Sequence, residues 1–170
     1  MHKSIKEQLE SIFKSVKVTV PEDTRIIVNI KKAHVLAVLR FLKDRRFDHL
    51  ALISCVDWIE EKEFELVFIL TGYMHCDEED KGQERVHLIV KTRIPRHEPR
   101  FETVTEIFSN AEPYEREIYE LFGIKFEGHK RLIPLFLERD YEIPPFRKDF
   151  DTRRYVKEVF GNIPSVENNK

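Results

Sequence analysis

The residues of this chain that are able to do chemistry are dispersed along the sequence. Seven histidines invite a metal site, yet their spacings match no compact ligand set, and His75 with Cys76 lacks a second pair. Cys55 and Cys76 form no Cys-x-x-Cys pair, and Cys55 lies in an apolar run where cysteine is usually inert packing. The five glycines form no phosphate-binding loop motif. We therefore expect no catalytic residue, no metal and no cofactor in this chain.

The densest group of charged and special residues is EREIYELFGIKFEGH, residues 115–129. On a helix, Arg116 lies one turn before Glu120, where the two side chains are able to pair. Gly123 stands where a helix would end in a left-handed residue. A solvent-exposed acidic helix capped by glycine explains this much. It does not explain why a second glycine, a histidine and a cluster of apolar residues follow at once.

A second concentration of charge lies near the C-terminus. Arg147, Lys148 and Asp149 are followed by Arg153 and Arg154. These residues suit contact with phosphate, although the interleaved aspartates weaken that interpretation. They suit equally well a set of arginines that pair with the carboxylates of a partner protein.

The composition narrows the class of protein. Charged residues make up 35 % of the chain but nearly cancel to a net charge of −2, which argues against a dedicated nucleic-acid binder. The longest apolar run, of about seven residues, is too short to cross a bilayer, and the N-terminus does not resemble a signal peptide. We expect a location on the cytoplasmic side. Few Asn and Gln among many charged residues is a composition reported for heat-adapted proteins.

The apolar spacing predicts a compact front unit over residues 1–94. A helix over residues 5–13 and a short β-branched run precede a strand over 25–30, a helix over 32–43, and strands over 49–59, 64–70 and 85–92. This order predicts an α+β fold, in which helices pack on a mixed β-sheet.

Proline divides the chain, because only Pro21 precedes residue 95. Residues 95–123 are predicted to complete the domain, with helical turns over 102–108 and a helix over 114–122. Residues 124–170, which we call the arm, are predicted to be a Pro-rich, extended, partner-binding segment. The apolar residues after Gly123 are too hydrophobic for a free linker, and we expect them to be too broken for a sheet.

The segment EREIYELFGIKFEGH closely resembles the signature of the 30-kDa subunit family of respiratory complex I and the related membrane-bound NiFe hydrogenases. CVDW at residues 55–58, RVHLIVKTRIPRHEPRFETVTEIFSNAEPYERE from residue 85 and PPFRKDF at 144–150 are similar to further family segments. The resemblance thus spans about residues 25–155. Lys130 replaces a usual proline, and Ile133 and Pro134 occupy the approximate places of an arginine pair. These departures favour a hydrogenase-related or other archaeal-type relative.

The resemblance implies a cofactor-less scaffold subunit of a peripheral arm that reaches the membrane only through its complex. It implies docking on the hydrogenase-like large subunit of the 49-kDa (D) type, near the small iron–sulfur subunit of the B type. Iron–sulfur clusters, and a NiFe centre or quinone, would belong to those partners. The predicted docking and motif residues are Glu115, Arg116, Glu117, Glu120, Phe122, Gly123, Phe126, Gly128, His129, Arg147, Lys148 and Asp149.

Three other functions remain open at this point. The first is the corresponding 30-kDa subunit of a quinone-linked NADH dehydrogenase. The second is a free-standing α+β module that binds nucleic acid through the arginines of residues 147–154, and the third is a small cysteine or histidine hydrolase.

Overall fold

The structure is a computed structural model that describes residues 2–74, 84–137 and 141–161. Its α-helices are α1 (His2–Ile12), α2 (Val35–Lys43), α3 (Ala111–Phe122) and α4 (Thr152–Phe160). Its strands are β1 (Lys17–Glu22), β2 (Arg25–Asn29), β3 (His49–Trp58), β4 (Glu63–Met74), β5 (Glu84–Pro95), β6 (Arg100–Glu102) and β7 (Lys125–Glu127). A 3-10 turn, Lys32–His34, leads into α2. These elements confirm the predicted α+β class.

The main sheet has five strands in the order β1-β2-β5-β4-β3. β2 and β5 run parallel, and the other neighbouring strands run antiparallel, so the sheet is mixed as predicted. β3, β4 and β5 follow one another in the chain and in the sheet, so they form an antiparallel meander.

One face of this sheet forms the core. Phe64, Leu66, Phe68 and Leu70 alternate along β4, point to this face and are fully buried, as the two-residue period of a strand requires. α1, α2 and α3 bury their apolar stripes in the same cluster, for example through Leu39. No helix among the described residues adds buried side chains to the opposite face.

A second sheet joins the start of the arm to the core. β6 and β7 pair in parallel, and Phe101 and Phe126 lie opposite each other with ring centroids 6.4 Å apart. Pro99 precedes β6, so its missing N–H removes no bond from the ladder, and its carbonyl accepts from Lys125 N–H at 2.9 Å. The expectation that this stretch is too broken for a sheet is therefore wrong at residues 125–127. Ile124 and Phe126 are buried core residues.

α3 confirms the predicted helix and its end. Gly123 follows the helix with φ = 74°, and its N–H donates to the Tyr119 carbonyl. Helical turns were predicted over 102–108, and the structure has one turn there. In that turn the N–H groups of Ile107 and Phe108 donate to the Val104 carbonyl. Residue 102 belongs to β6 instead.

α4 was not predicted from the sequence. Asp151 caps it, because its side chain accepts from the N–H groups of Arg153 and Arg154 at 3.0 Å each. α4 has no fully buried residue, although Tyr155 and Val156 are half-buried. None of the helices in residues 2–74, 84–137 and 141–161 is long and apolar enough to cross a membrane.

Gly72 in β4 allows a close approach of the chain after α2, which gives a test of this packing. A Cβ atom at Gly72 would lie 2.5 Å from the Arg46 carbonyl oxygen and 3.1 Å from Phe47 Cδ1. We expect Gly72→Ala to lower the free energy of unfolding by about 1–3 kcal/mol, because backbone must move to admit the methyl group. Urea unfolding of the full chain measures the change. Tyr73→Thr, at the exposed neighbouring position, is the control and should change it by less than about 1 kcal/mol. Equal effects of the two substitutions would contradict the proposed close packing.

Candidate docking site

Arg116 on α3 fixes the main chain of the arm. Its Nε donates to the Ile133 carbonyl at 3.0 Å, and its Nη2 donates to the Pro134 carbonyl at 2.9 Å. Its Nη1 lies 3.4 Å from Glu112 Oε1, one helical turn earlier. The predicted pairing of Arg116 with Glu120 is therefore wrong, because both side chains reach the arm instead.

Glu120, one turn further along α3, holds the next three residues of the arm. Its carboxylate accepts from the N–H groups of Leu135 at 3.1 Å, Phe136 at 3.0 Å and Leu137 at 2.5 Å. Consecutive N–H groups that converge in this way form an anion-binding concavity. Arg116 and Glu120 thus bind opposite kinds of main-chain group, since the guanidinium donates to carbonyl groups and the carboxylate accepts from N–H groups.

Gly123 and Arg147 make a second attachment. The Arg147 Nε donates to the Phe122 carbonyl at 2.7 Å, so it satisfies a carbonyl at the end of α3. A Cβ atom at position 123 would lie 2.9 Å from Arg147 Nη2 and 3.0 Å from Pro144 Cγ. The positive φ favours glycine here, and a larger residue would also displace the Arg147 side chain. The Arg147 guanidinium also lies over the ring of Phe64, 5.2 Å from the centroid.

An ion-pair network at the end of β3 completes this attachment. Arg96 donates to both carboxylate oxygens of Asp57, at 2.9 and 3.2 Å, and to Asp149 at 2.5 Å. The Lys148 N–H donates to Asp57 Oδ2 at 2.9 Å. Asp57 and Arg96 thus tie the arm to β3 and to the residue after β5. Neither residue was predicted from the sequence, and the only available signal was the position of Asp57 within the family-like CVDW.

The charges in this network shift the acidity of its members. The hydrogen bond from Arg96 lowers the pKa of Asp149 below its ordinary value. Burial, and next the positive charge of Arg96, lower the pKa of the Arg147 guanidinium. Burial, and next the charge of Asp57, raise the pKa of the nearby Cys55 thiol. A thiol kept protonated in this way is a poor nucleophile, which disfavours the cysteine hydrolase.

Glu115 lies in the domain rather than against the arm. It is fully buried and accepts from Thr103 Oγ1–H at 2.6 Å and Val104 N–H at 2.7 Å. It therefore ties α3 to the chain between β6 and the following turn. Burial raises its pKa to about 7, against the opposing effect of the hydrogen bonds from Thr103 and Val104.

The remaining predicted residues lie around α3 in different roles. His129 Nδ1 accepts from Arg131 N–H at 3.1 Å, and its Nε2 lies 3.4 Å from the Glu112 carbonyl. Gly128 has φ = 84° and lies against Thr103. Glu117 is half-exposed and makes no ion pair within the described residues. The structure thus places Arg116 and Glu120 on α3 against residues 133–137 of the arm, with His129 beside Glu112, and it places Arg147, Lys148 and Asp149 at the end of β3.

The sequence predicts no metal site in this chain. Within residues 2–74, 84–137 and 141–161, no three His, Cys, Asp or Glu side chains lie together in a way that would hold a metal ion. His75 and Cys76 lie outside the described residues.

Known proteins share both the sequence and the fold of this chain. The family described as respiratory-chain NADH dehydrogenase, 30 Kd subunit, matches residues 28–156. The C-type subunit of F(420)H(2) dehydrogenase from Methanosarcina mazei is 38 % identical over 129 residues, which cover 75 % of this chain and 76 % of that protein. The C-type subunit of NADH-quinone oxidoreductase from Trichlorobacter lovleyi is 30 % identical over 148 residues, covering 85 % and 86 %.

Two solved structures of related proteins have a similar fold. A chain of the membrane-bound sulfane sulfur reductase, an archaeal respiratory membrane complex, superposes with a TM-score of 0.82 at 30 % identity. The superposition covers 96 % of this chain and 93 % of that chain. The trypsin-resistant fragment of Nqo5 gives a TM-score of 0.61 at 25 % identity and covers 76 % of this chain and 98 % of the fragment.

This protein belongs to the 30-kDa subunit family of respiratory-chain NADH dehydrogenase. It is one component of a multi-subunit oxidoreductase and is not catalytic on its own. The family is cofactor-less and belongs to the peripheral arm of membrane-bound respiratory complexes.

The buried carboxyl of Glu115 predicts a specific pH dependence of stability. Its folded-state pKa of about 7 lies above its ordinary value of 4.5, so its contribution to stability is complete below about pH 4.5 and lost as the pH rises to about 7. Glu115→Gln is neutral at every pH. We therefore expect the wild type to lose roughly 3 kcal/mol of stability relative to this variant between pH 4.5 and pH 7.5.

Urea unfolding of the full chain at a series of pH values measures this difference. Glu117→Gln, which removes a half-exposed carboxylate from the same helix, is the matched control. A wild-type-to-Glu115→Gln difference that stays constant across this pH range would show that the buried carboxyl does not titrate as described.

Proposed function

We propose that this chain is a non-catalytic scaffold that docks through its arm onto the hydrogenase-like large subunit of its complex, of the 49-kDa (D) type. The observation that carries the proposal is the way the arm is held. Its main-chain groups are satisfied from the inside by α3, while apolar side chains of the same segment remain on the surface.

Several large apolar side chains of the arm are exposed. Phe136 is 68 % exposed, Phe146 59 % and Phe160 65 %, and Ile133 and Ile143 are also exposed. Phe146 packs one side of its ring against Phe122, with centroids 5.8 Å apart, and leaves the rest to solvent. Large aromatic side chains on a fixed backbone are the typical anchors of protein interfaces.

Fused relatives support the large subunit as the partner. A C/D-type polypeptide of NADH-quinone oxidoreductase from Aquifex aeolicus is 36 % identical to this chain over 132 residues, which are 19 % of that protein. The C/D-type polypeptide of Phocaeicola vulgatus is 32 % identical and 22 % covered. A single polypeptide that carries both subunits keeps them at high effective concentration, which suits a pair that binds directly.

In this proposal the small iron–sulfur subunit lies nearby, and all electron transfer takes place in the partners. The scaffold lies on the cytoplasmic side of the membrane. Its contribution is to hold the large subunit in register with its neighbours, which requires a rigid attachment and no chemistry of its own.

Two observations support a hydrogenase-related or other archaeal-type complex. The superposition on the archaeal sulfane sulfur reductase includes 96 % of this chain, and a Methanosarcina mazei relative is 38 % identical. The alternative is a quinone-linked complex, and the bacterial NADH-quinone oxidoreductase relatives at about 30 % identity favour it.

Two of the arginines on which the nucleic-acid alternative depends are engaged within the chain. Arg147 is half-buried and donates to the Phe122 carbonyl, and Arg154 pairs with Glu158 at 2.8 Å. Both guanidinium groups are therefore engaged within the chain. Their arrangement fits the positioning of the arm better than contact with phosphate.

Arg116→Ala and Arg147→Ala test the scaffold function. Each removes hydrogen bonds to main-chain carbonyls and should release the arm from α3, weakening docking by about 1–2 kcal/mol, or roughly 5- to 30-fold. We expect less assembled complex on native gels of membranes from cells that express the tagged variant, with unchanged turnover per assembled complex. Arg153→Ala, an exposed arginine of the arm, is the matched control.

The result separates the possible roles clearly. Full assembly with lost turnover would assign these residues to electron or proton transfer and would overturn the scaffold function. Full assembly with full turnover would show that the docking surface lies elsewhere. Urea unfolding of the purified variants checks that the domain itself remains folded.

A further inference from the structure

The face of the main sheet opposite the core, which we call the open face, carries an apolar row. Ile27, Ile89, Ile69 and Leu52 are successive partners in the strand register, so their side chains lie side by side across β2, β5, β4 and β3. Leu52 is 38 % exposed, and the three isoleucines are half-buried. Val56, two pairs further along β3 on the same face, is 39 % exposed. None of these residues belongs to the buried core cluster.

No helix or loop among the described residues packs over this apolar row. A sheet with antiparallel strands often leaves one polar face to solvent, but this mixed sheet contains the parallel pair β2–β5 and carries apolar side chains on that face. α1, α2 and α3 all bury their side chains on the core side. A contiguous apolar patch on a folded domain marks an interaction surface.

A charged strip borders the apolar row. Glu65 lies 3.6 Å from Lys91 and 3.7 Å from Arg93, and Glu63 lies 3.0 Å from Arg93. The Arg93 guanidinium is also 4.8 Å from the centroid of the Trp58 ring. Both carboxylates of the strip are therefore already paired with cations of the same strip.

Three lysines extend this strip and have no such partner. Lys17 is in register with Asn29, and Asn29 with Lys91, so Lys17 belongs to the open face. Lys31 and Lys32 line the same concave surface. Among the described residues, no carboxylate oxygen lies within 4.0 Å of Lys17, Lys31 or Lys32. Within the described residues, no ion pair balances the positive charge at this end of the open face.

We propose that the open face is a second docking surface, occupied by a segment of a neighbouring subunit of the same complex. That segment has apolar side chains over the isoleucine row and Asp or Glu side chains over Lys17, Lys31 and Lys32. A second copy of this chain does not fit as well, because the carboxylates of its own open face are already paired. The inference rests on assembly into a complex and is independent of the arm.

The test uses the purified complex and a carbodiimide, which joins lysines to carboxylates in direct contact. We expect cross-links from Lys17, Lys31 or Lys32 to Asp or Glu residues of another subunit, identified by mass spectrometry. Lys6 and Glu10, 3.9 Å apart on α1, provide an internal control for the coupling. Acetylation of the three lysines should also be at least about fivefold slower in the complex than in the isolated chain.

Charge reversal supplies a second measurement. Lys17→Glu and Lys32→Glu should each weaken incorporation into the complex about fivefold, whereas Lys6→Glu on α1 should not. Unchanged acetylation in the complex, or cross-links only to a second copy of this chain, would overturn the proposal. Protected lysines in a complex that Arg116→Ala leaves intact would support this surface and contradict arm docking. If Arg116→Ala abolishes the complex while Lys17, Lys31 and Lys32 react fully in the wild-type complex, the arm is the docking surface and the open face is not.

Discussion

The structure depends on how the main chain of an irregular segment is satisfied. The segment around residues 133–137 belongs to no helix or strand, so its carbonyl and N–H groups need partners from elsewhere. Each hydrogen bond that such a group makes within the protein contributes about 0.5–1.5 kcal/mol. Arg116 and Glu120, one turn apart on α3, provide partners for five consecutive residues with two side chains. This is why a proline-rich stretch without regular structure keeps a defined position.

The attachment at Gly123 and Arg147 fixes a second point of the arm relative to the sheet. Arg96 binds Asp57 through two nitrogens and Asp149 through one of them, so a strand end, a loop and the arm share one cation. Phe64 lies beneath, with Arg96 and Arg147 both near its ring. Two separate points of attachment restrict rotation of the arm as well as its translation, which suits a protein whose function is positional.

The sequence was sufficient for the elements that repeat a pattern over many residues. β3, β4 and β5 have the two-residue period and α2 and α3 the helical one, and all five occur close to the predicted positions. β4 continues to Met74, α2 begins at Val35 and α3 begins at Ala111. β7 has only three residues, too few to display a period, and its pairing with β6 depends on contacts that are distant in the chain. α4 was not predicted, because the arginines that follow Asp151 also fit a binding patch and the helix buries no apolar stripe.

In the candidate site, too, local features were predicted and contacts between distant residues were not. Gly123 was predicted from local geometry, whereas Asp57 and Arg96 are far apart in the sequence and only the sheet brings them together. The predicted Arg116–Glu120 pair was wrong for an energetic reason. An exposed pair on one helix contributes about 0.2–0.5 kcal/mol, less than the several hydrogen bonds that each side chain makes to the arm.

The three N–H groups that bind Glu120 also affect how this surface is able to change in evolution. A carboxylate that binds only main-chain hydrogens does not depend on the side chains at positions 135, 136 and 137, provided that none of them is proline. Mutations at Phe136 can therefore accumulate without loosening the arm. The attachment is inherited while the outward side chains diverge, so members of one family are able to retain a common scaffold and acquire different neighbours.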